Sequence, residues 1–146
     1  MKKILVALDT SPRAPIVLQR AAAIAQTAGA ELYLLHAVGL PPELPSEAYR
    51  SSPNDVVEIL RTSAVRDLEA RAATLEPAQI SHILVRTGSP WAAICAAAKE
   101  HDIDLVVVGS HGYGGVDRLL GTTAAKVVNH ADCSVLVVRP DRGAAS

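Results

Sequence analysis

Hydrophobic residues along this chain are concentrated in short continuous runs, and within these runs they do not alternate with polar residues. The runs cover residues 3–8, 31–38, 82–87, 104–109 and 134–139, and they are rich in valine, isoleucine and leucine. Such runs are typical of strands that are covered on both faces, and this degree of burial is typical of parallel sheets. The pattern therefore predicts five buried parallel strands.

Between the runs, apolar residues recur three or four positions apart, which is the spacing of one face of a helix. The four sets are Val17, Ala21, Ile24 and Ala28; Val57, Leu60, Ala64 and Leu68; Trp91, Ile94, Cys95 and Ala98; and Ala124, Val127, Val128 and Ala131. Strands and helices thus alternate from beginning to end. This order predicts a doubly wound α/β fold, with a five-stranded parallel sheet and helices on both faces.

Three local signals predict where helices begin and end. Ser11-Pro12 and Ser89-Pro90 each offer an N-cap followed by proline at the first helical position, and Gly29 suits a C-terminal cap. Residues 39–53 contain four prolines and predict a loop between strand 2 and helix 2.

Length and composition predict a single domain over residues 1–146, with a disordered tail from about residue 141. The chain has 146 residues, of which 49% are hydrophobic, and its formal net charge is −1. A charge so close to zero argues against a non-specific binder of nucleic acid or anionic lipid. The first apolar run meets Asp9 too early for a signal peptide or a membrane span, so we expect a cytoplasmic protein.

The two cysteines, Cys95 and Cys133, are far apart in the sequence and belong to no CxxC motif. Neither a disulfide scaffold nor a zinc site is indicated by this spacing. We expect both to be buried small hydrophobic residues in a reducing compartment.

In an open parallel sheet, ligands bind beyond the carboxyl ends of the strands, where the winding direction reverses. The segment after strand 4 is rich in glycine, and Gly121-Thr122-Thr123 opens the next helix. Glycine lets backbone amides turn toward an anion, and a helix N-terminus adds further donors. The segment is thus either a phosphate site or an ordinary turn.

Other polar residues at this edge also allow two interpretations. Asp9 ends the first run and could accept a hydrogen bond from a ribose or base or bind a metal, or it could form a local Asx turn that starts helix 1. His111 lies within the glycine-rich segment and could face a phosphate. His36, at the end of a buried run, is interpreted as a core histidine. Neither a Walker loop nor a dinucleotide fingerprint is present.

Four stretches of the chain form a recognisable set: "MKKILVALDTSPRA", "LYLLHAV", "TGSPWAAI" and "DLVVVGSHGYGGVDRLLGTTAAKVVNHADCSVLVVRP". Through these stretches, the chain resembles the universal stress protein family from Met1 to about Pro140. The resemblance implies the strand order 3-2-1-4-5. It also implies ATP binding through G-x2-G-x9-G-[ST], which corresponds to Gly109, Gly112, Gly121 and Thr122 with eight residues, instead of nine, before Gly121.

The resemblance further implies that Ala7, Asp9 and Ala37 contact the adenine and ribose. Together with the residues discussed above, the candidate site for ATP, with Mg²⁺ as a candidate companion ion, is Ala7, Asp9, Ala37, Gly109, His111, Gly112, Gly121, Thr122 and Thr123. A homodimer through strand 5, from Ser134 to Arg139, is expected because this apolar strand lies at the edge of the inferred sheet. The resemblance to the family also implies a homodimer of this kind.

Three functions remain open on these grounds. The first is an ATP-binding regulatory protein of the stress response, with at most weak ATP hydrolysis. The second is a nucleotide-free dimeric interaction module of the same fold, which the shortened spacing before Gly121 favours. The third is a phosphohydrolase or adenylyl transferase, which is disfavoured because no Ser-His-Asp set, metal cluster or carboxylate pair can be assembled from the predicted loops.

Overall fold

The computed structural model describes residues 1–39, 53–110 and 120–139, except for the side chains of 53–55. Within these residues, five strands form one parallel sheet in the order β3-β2-β1-β4-β5. The strands are β1 Lys3–Ala7, β2 Glu31–Val38, β3 Ser81–Thr87, β4 Leu105–Gly109 and β5 Ser134–Val138. The predicted fold class and strand order are confirmed. The predictions for His111, Gly112, residues 40–52 and the tail at 141–146 concern residues outside the described ranges.

Four helices in the described part of the chain cover both faces of the sheet. They are α1 Ala14–Ala28, α2 Pro53–Ala72, α3 Pro90–Glu100 and α4 Thr122–His130. Successive residues of β1 point to opposite faces: Ile4 packs in one buried cluster with Leu18 and Leu68, and Leu5 packs in the other with Ile94 and Val127. The sheet therefore separates two hydrophobic cores, one under α1 and α2 and one under α3 and α4.

The predicted start of α1 is wrong by two residues. The helix begins at Ala14 with Arg13 as its N-cap, and Ser11 lies in a turn before it. The reason is local: the Ser11 hydroxyl accepts the N–H of Arg13 at 3.3 Å, and the Ser11 carbonyl accepts the N–H of Ala14 at 3.2 Å. The other two signals are confirmed in position, since Ser89 is the N-cap residue of α3 before Pro90, without a capping hydrogen bond from its side chain, and Gly29 ends α1 with φ 65°.

The expectation that every strand is covered on both faces is wrong for β5. In the three central strands the middle residues are buried, whereas Ser134 and Leu136 of β5 are exposed. Leu136 retains 36% exposure. Because β5 lies at the end of the described sheet, fewer neighbouring elements are available to cover it.

The carboxylate of Asp104 ties the start of β4 to the start of β1. Its Oδ2 accepts the backbone N–H of Lys2 at 2.7 Å and that of Lys3 at 2.9 Å. These two hydrogen bonds stabilise the charged form and lower the pKa of Asp104 from its ordinary value. A carboxylate whose pKa is lowered by folding stabilises the folded state above its unfolded pKa of about 3.9, and this stabilisation is lost as the pH falls through the folded pKa.

We therefore expect Asp104→Asn to lose less stability than the wild type on acidification. Urea unfolding of both proteins, at intervals from about pH 5 to about pH 2, measures the free energy of unfolding over the range in which an aspartate with a lowered pKa is protonated. The wild type should show the steeper fall with decreasing pH. Parallel curves for the two proteins would contradict the assignment.

Candidate functional site

A cavity of about 630 Å³ opens at the carboxyl edge of the sheet, between β1, α1 and the ends of β4 and β5. The cavity lies at the topological switch point of the sheet, because β2 is added on one side of β1 and β4 on the other. Open α/β sheets bind ligands at this position. The volume falls within the range of about 300–1,000 Å³ that is common for small-molecule sites. The lining residues are Ala7, residues 9–14, Ile16, Val17, Gly109, Ser110, Val138 and Arg139.

Asp9 lines the cavity and also forms the local Asx turn, so both of the positions that the sequence allowed for this carboxylate are observed. One carboxylate oxygen, Oδ1, accepts the N–H of Ser11 at 2.9 Å, which is the Asx turn that precedes α1. The side chain is exposed and lines the cavity. The Asx turn uses one oxygen of the carboxylate and holds the group at the cavity wall.

Gly109 brings β4 close to α1 at the bottom of the cavity. A Cβ atom placed on Gly109 would lie 3.3 Å from Cγ2 of Val17, a closer approach than most real Cβ contacts. Val17 is buried and branched at its β-carbon, so its side chain has little freedom to move away. The glycine at this position is therefore explained by packing, and the same packing forms the cavity wall.

The start of α4 lies at the same edge, but its first residues are absent from the described cavity lining. Gly121 is the N-cap of α4, and its N–H donates to the carbonyl of Ser110 at 2.8 Å. This amide is therefore already engaged and ties α4 to the end of β4. Thr122 and Thr123 begin the helix, where backbone N–H groups have no acceptor within the helix. Ligand contacts by these three residues stay predictions.

Ala37 lies on the other side of β1, in the part of β2 that extends past the end of that strand and pairs with Arg86 of β3. Within the described residues it does not line the cavity, so its contact with an adenine stays a prediction. Its neighbour His36 has Nδ1 at 2.8 Å from the carbonyl of Leu8. Because a carbonyl can only accept, Nδ1 carries the proton, and the ring fits the predicted structural role.

Most residues of the cavity lining were not among the predicted site residues, and the polar ones among those missed include Arg13, Ser110 and Arg139. Arg13 was overlooked because α1 was expected to begin earlier, which would have placed it inside the helix. Arg139 follows the carboxyl end of β5 and could have been found, since the rule that pointed to the ends of the other strands applies to this one as well. The two arginines and Asp9 give the described lining a net positive charge.

A doubly wound parallel sheet with a ligand-sized cavity at its switch point defines a class of α/β proteins that bind small molecules at the carboxyl edge. The profile of the universal stress protein family matches residues 1–139. The chain belongs to this family, as the sequence resemblance indicated. None of the helices in the described ranges is long and apolar enough to cross a membrane.

Relatives are similar over nearly their whole length. The chain is 35% identical over 140 residues to universal stress protein A homolog 2 of Coxiella burnetii, with 94% of each chain covered. It is 32% identical to universal stress protein UspA from Lactobacillus plantarum, whose structure superposes with a TM-score of 0.74 and covers 94% of this chain and 97% of that one.

Two similar structures contain a nucleotide. One is a universal stress protein in complex with cAMP, which is 26% identical, has a TM-score of 0.67 and covers 96% of this chain and 98% of its own. The other is the universal stress protein from Archaeoglobus fulgidus in complex with dAMP, also 26% identical, with a TM-score of 0.58 and coverage of 95% and 98%. Each of these two proteins thus holds an adenine nucleotide.

Proposed function

We propose that this protein is an ATP-binding regulatory protein of the cytoplasmic stress response, and that ATP binds in the cavity at the carboxyl edge of the sheet. The observation that carries the proposal is a cavity of about 630 Å³ at the switch point whose charged lining consists of Asp9, Arg13 and Arg139. The cAMP and dAMP complexes of similar proteins support an adenine nucleotide as the class of ligand.

The lining chemistry matches the parts of ATP. A carboxylate accepts hydrogen bonds from ribose hydroxyls, so Asp9 is assigned to the ribose. Guanidinium groups bind phosphate oxygens through paired N–H donors, so Arg13 and Arg139 are assigned to the phosphates. Ala7 is small and leaves room for a flat ring. Mg²⁺ is expected to enter with the phosphates that it neutralises.

Isothermal titration calorimetry of the wild type with ATP and magnesium tests the proposal. We expect micromolar binding of ATP and weaker binding of adenosine, because adenosine lacks the phosphates that the arginines would contact. No heat of binding with ATP up to millimolar concentrations would refute the assignment. Nucleotide hydrolysis is expected to be weak at most, and the rate of phosphate release in the same samples measures it.

We also propose that two copies of the chain associate through β5. Leu136 on this strand is 36% exposed, and β5 is the last strand of the described sheet. Pairing of β5 with a second copy would cover this side chain and the strand edge. An interaction module without nucleotide is the alternative function that this surface favours.

Equilibrium sedimentation tests the association. The wild type is expected to be a dimer at micromolar concentration, and Leu136→Arg is expected to shift it toward monomer because a charge would be placed at the interface. Ile59→Arg, at a site 69% exposed on α2, serves as the control and should remain dimeric. A monomeric wild type would refute the proposal.

A further inference from the structure

Both cysteines open onto a second cavity on the face of the sheet that α3 and α4 cover. This groove, about 400 Å³ in volume, lies between α3 and the turn that leads from α4 into β5. Cys95 and Cys133 are free cysteines and only partly buried, so the expectation that both are buried is wrong, although Cys133 packs against the hydrophobic core under α3 and α4. The polar residues that line the groove with them are Lys99, Asp102, His130 and Asp132.

The packing of α3 against α4 explains why residues so far apart in sequence meet here. The rings of Trp91 on α3 and His130 on α4 are in contact, with their centroids 4.8 Å apart. Cys95 follows Trp91 by one helical turn, and Cys133 follows His130 by three residues. Beyond the contact between Trp91 and His130, the chain that follows α4 continues alongside α3. Cys133 therefore lines the same groove as Cys95.

We propose that Cys95 and Cys133 form a redox-active dithiol, which a hydroperoxide converts into a disulfide that links α3 to the beginning of β5. One thiolate attacks the peroxide oxygen, the O–O bond breaks, an alcohol or water leaves, and a sulfenic acid is formed. The second thiol attacks the sulfenic sulfur, the S–S bond forms and water leaves. Two thiols are oxidised and one peroxide is reduced.

The surroundings of the two thiols determine their pKa values and therefore the rate at which they are oxidised. Burial raises the pKa of the Cys95 thiol, and the nearby Cys133 and Asp132 raise it further. Burial also raises the pKa of Cys133; backbone hydrogen bonds partly offset this rise, and Asp132 and Asp104 add smaller raising contributions. Lys99 and Asp102 on the α3 side and His130 on α4 also face the groove. The thiolate is the reactive form, so oxidation is expected to be slow at neutral pH and to accelerate as the pH rises, by up to about tenfold per pH unit.

The disulfide would close a loop of chain that includes β4, the glycine-rich segment and α4. A covalent link across such a loop reduces the conformational freedom of the unfolded chain and stabilises the folded state. The same loop contains Gly109 and Ser110, which line the cavity at the carboxyl edge. The inference stands on the two thiols and their groove, and it does not depend on ATP binding.

The experiment compares the wild type with Cys95→Ser and Cys133→Ser. Because the chain has only these two cysteines, each variant retains a single thiol. The reduced full-length proteins are treated with hydrogen peroxide at several pH values above neutrality. Remaining thiols are then alkylated, and the intact masses are measured by mass spectrometry. Urea unfolding of the untreated proteins verifies that both variants fold.

We expect the wild type to lose both thiols together, with a mass lower by two hydrogen atoms, and to regain them with dithiothreitol. Because each peroxide reduced consumes both thiols, the wild type should lose thiols at up to about twice the summed rates of the two single-cysteine variants, whose products should gain oxygen instead of losing two hydrogen atoms. The oxidised wild type should unfold at higher urea concentration. The proposal is overturned if both thiols remain alkylatable, or if they oxidise independently to sulfinic acids. It is also overturned if the disulfide forms only between chains.

Discussion

Asp9→Asn is expected to weaken the binding of adenosine by about 10- to 100-fold, because a hydrogen bond to a charged group contributes roughly 1.5–3 kcal/mol. The substitution should remove the hydrogen bond to the ligand and keep the hydrogen bond to Ser11. The asparagine side-chain oxygen can still accept the N–H of Ser11, as Oδ1 of Asp9 does at 2.9 Å. The other carboxylate oxygen becomes an amide that donates and can no longer accept from a ribose hydroxyl.

ATP adds an effect of opposite sign. Removing the negative charge of Asp9 also removes repulsion of the phosphates, so the loss of affinity should be smaller for ATP than for adenosine. Calorimetry with both ligands separates the two effects. Asp9→Ala, which removes both oxygens, should in addition destabilise the turn before α1 by about 1 kcal/mol.

Asp102→Asn is the matched control for this measurement. Asp102 is an exposed aspartate on the opposite side of the molecule, and its left-handed backbone conformation, with φ 53°, is one that asparagine also adopts. Its variant should bind both ligands as the wild type does. Wild-type affinity in Asp9→Asn would remove Asp9 from the site, whereas failure of the wild type to bind any nucleotide would refute the proposed function itself.

Ile4→Ala is expected to lower the free energy of unfolding by about 2–5 kcal/mol, the range for truncation of a large residue in a core. Ile4 is fully buried in β1, between β2 and β4, and packs under α1 and α2. The side chains that form this cluster are apolar, so the cost comes from lost hydrophobic burial and the cavity left behind. For a domain of ordinary stability, this loss is a large part of the total free energy of unfolding.

Ile59→Ala removes the same atoms from an exposed position and isolates the effect of burial. Ile59 on α2 is 69% exposed, and alanine favours helix more than isoleucine does, so the change should be within about 0.5 kcal/mol. Urea unfolding of both variants and the wild type, with the slopes compared, measures the difference. Equal losses in the two variants would contradict the assignment of Ile4 to the core.

Part of the cavity lining could be anticipated because it lies at the carboxyl ends of strands. Asp9 and Gly109 were predicted from their positions at or next to the ends of two apolar runs, Ala7 was implied by the resemblance to the family, and all three line the cavity. Arg13 could not be placed in this way. Its position depends on an Asx turn that delays α1, and the sequence equally allowed a helix that begins at the preceding proline.

The sequence by itself determined the elements and their order, because hydrophobic periodicity acts between residues that are neighbours along the chain. Its resemblance to a family added the order of the strands. Only the tertiary structure decided which strand retains an exposed leucine, why Gly109 has no room for a side chain, and that Cys95 and Cys133 share a groove. These features arise from contacts between distant segments, and local sequence patterns carry no information about which distant surfaces will meet.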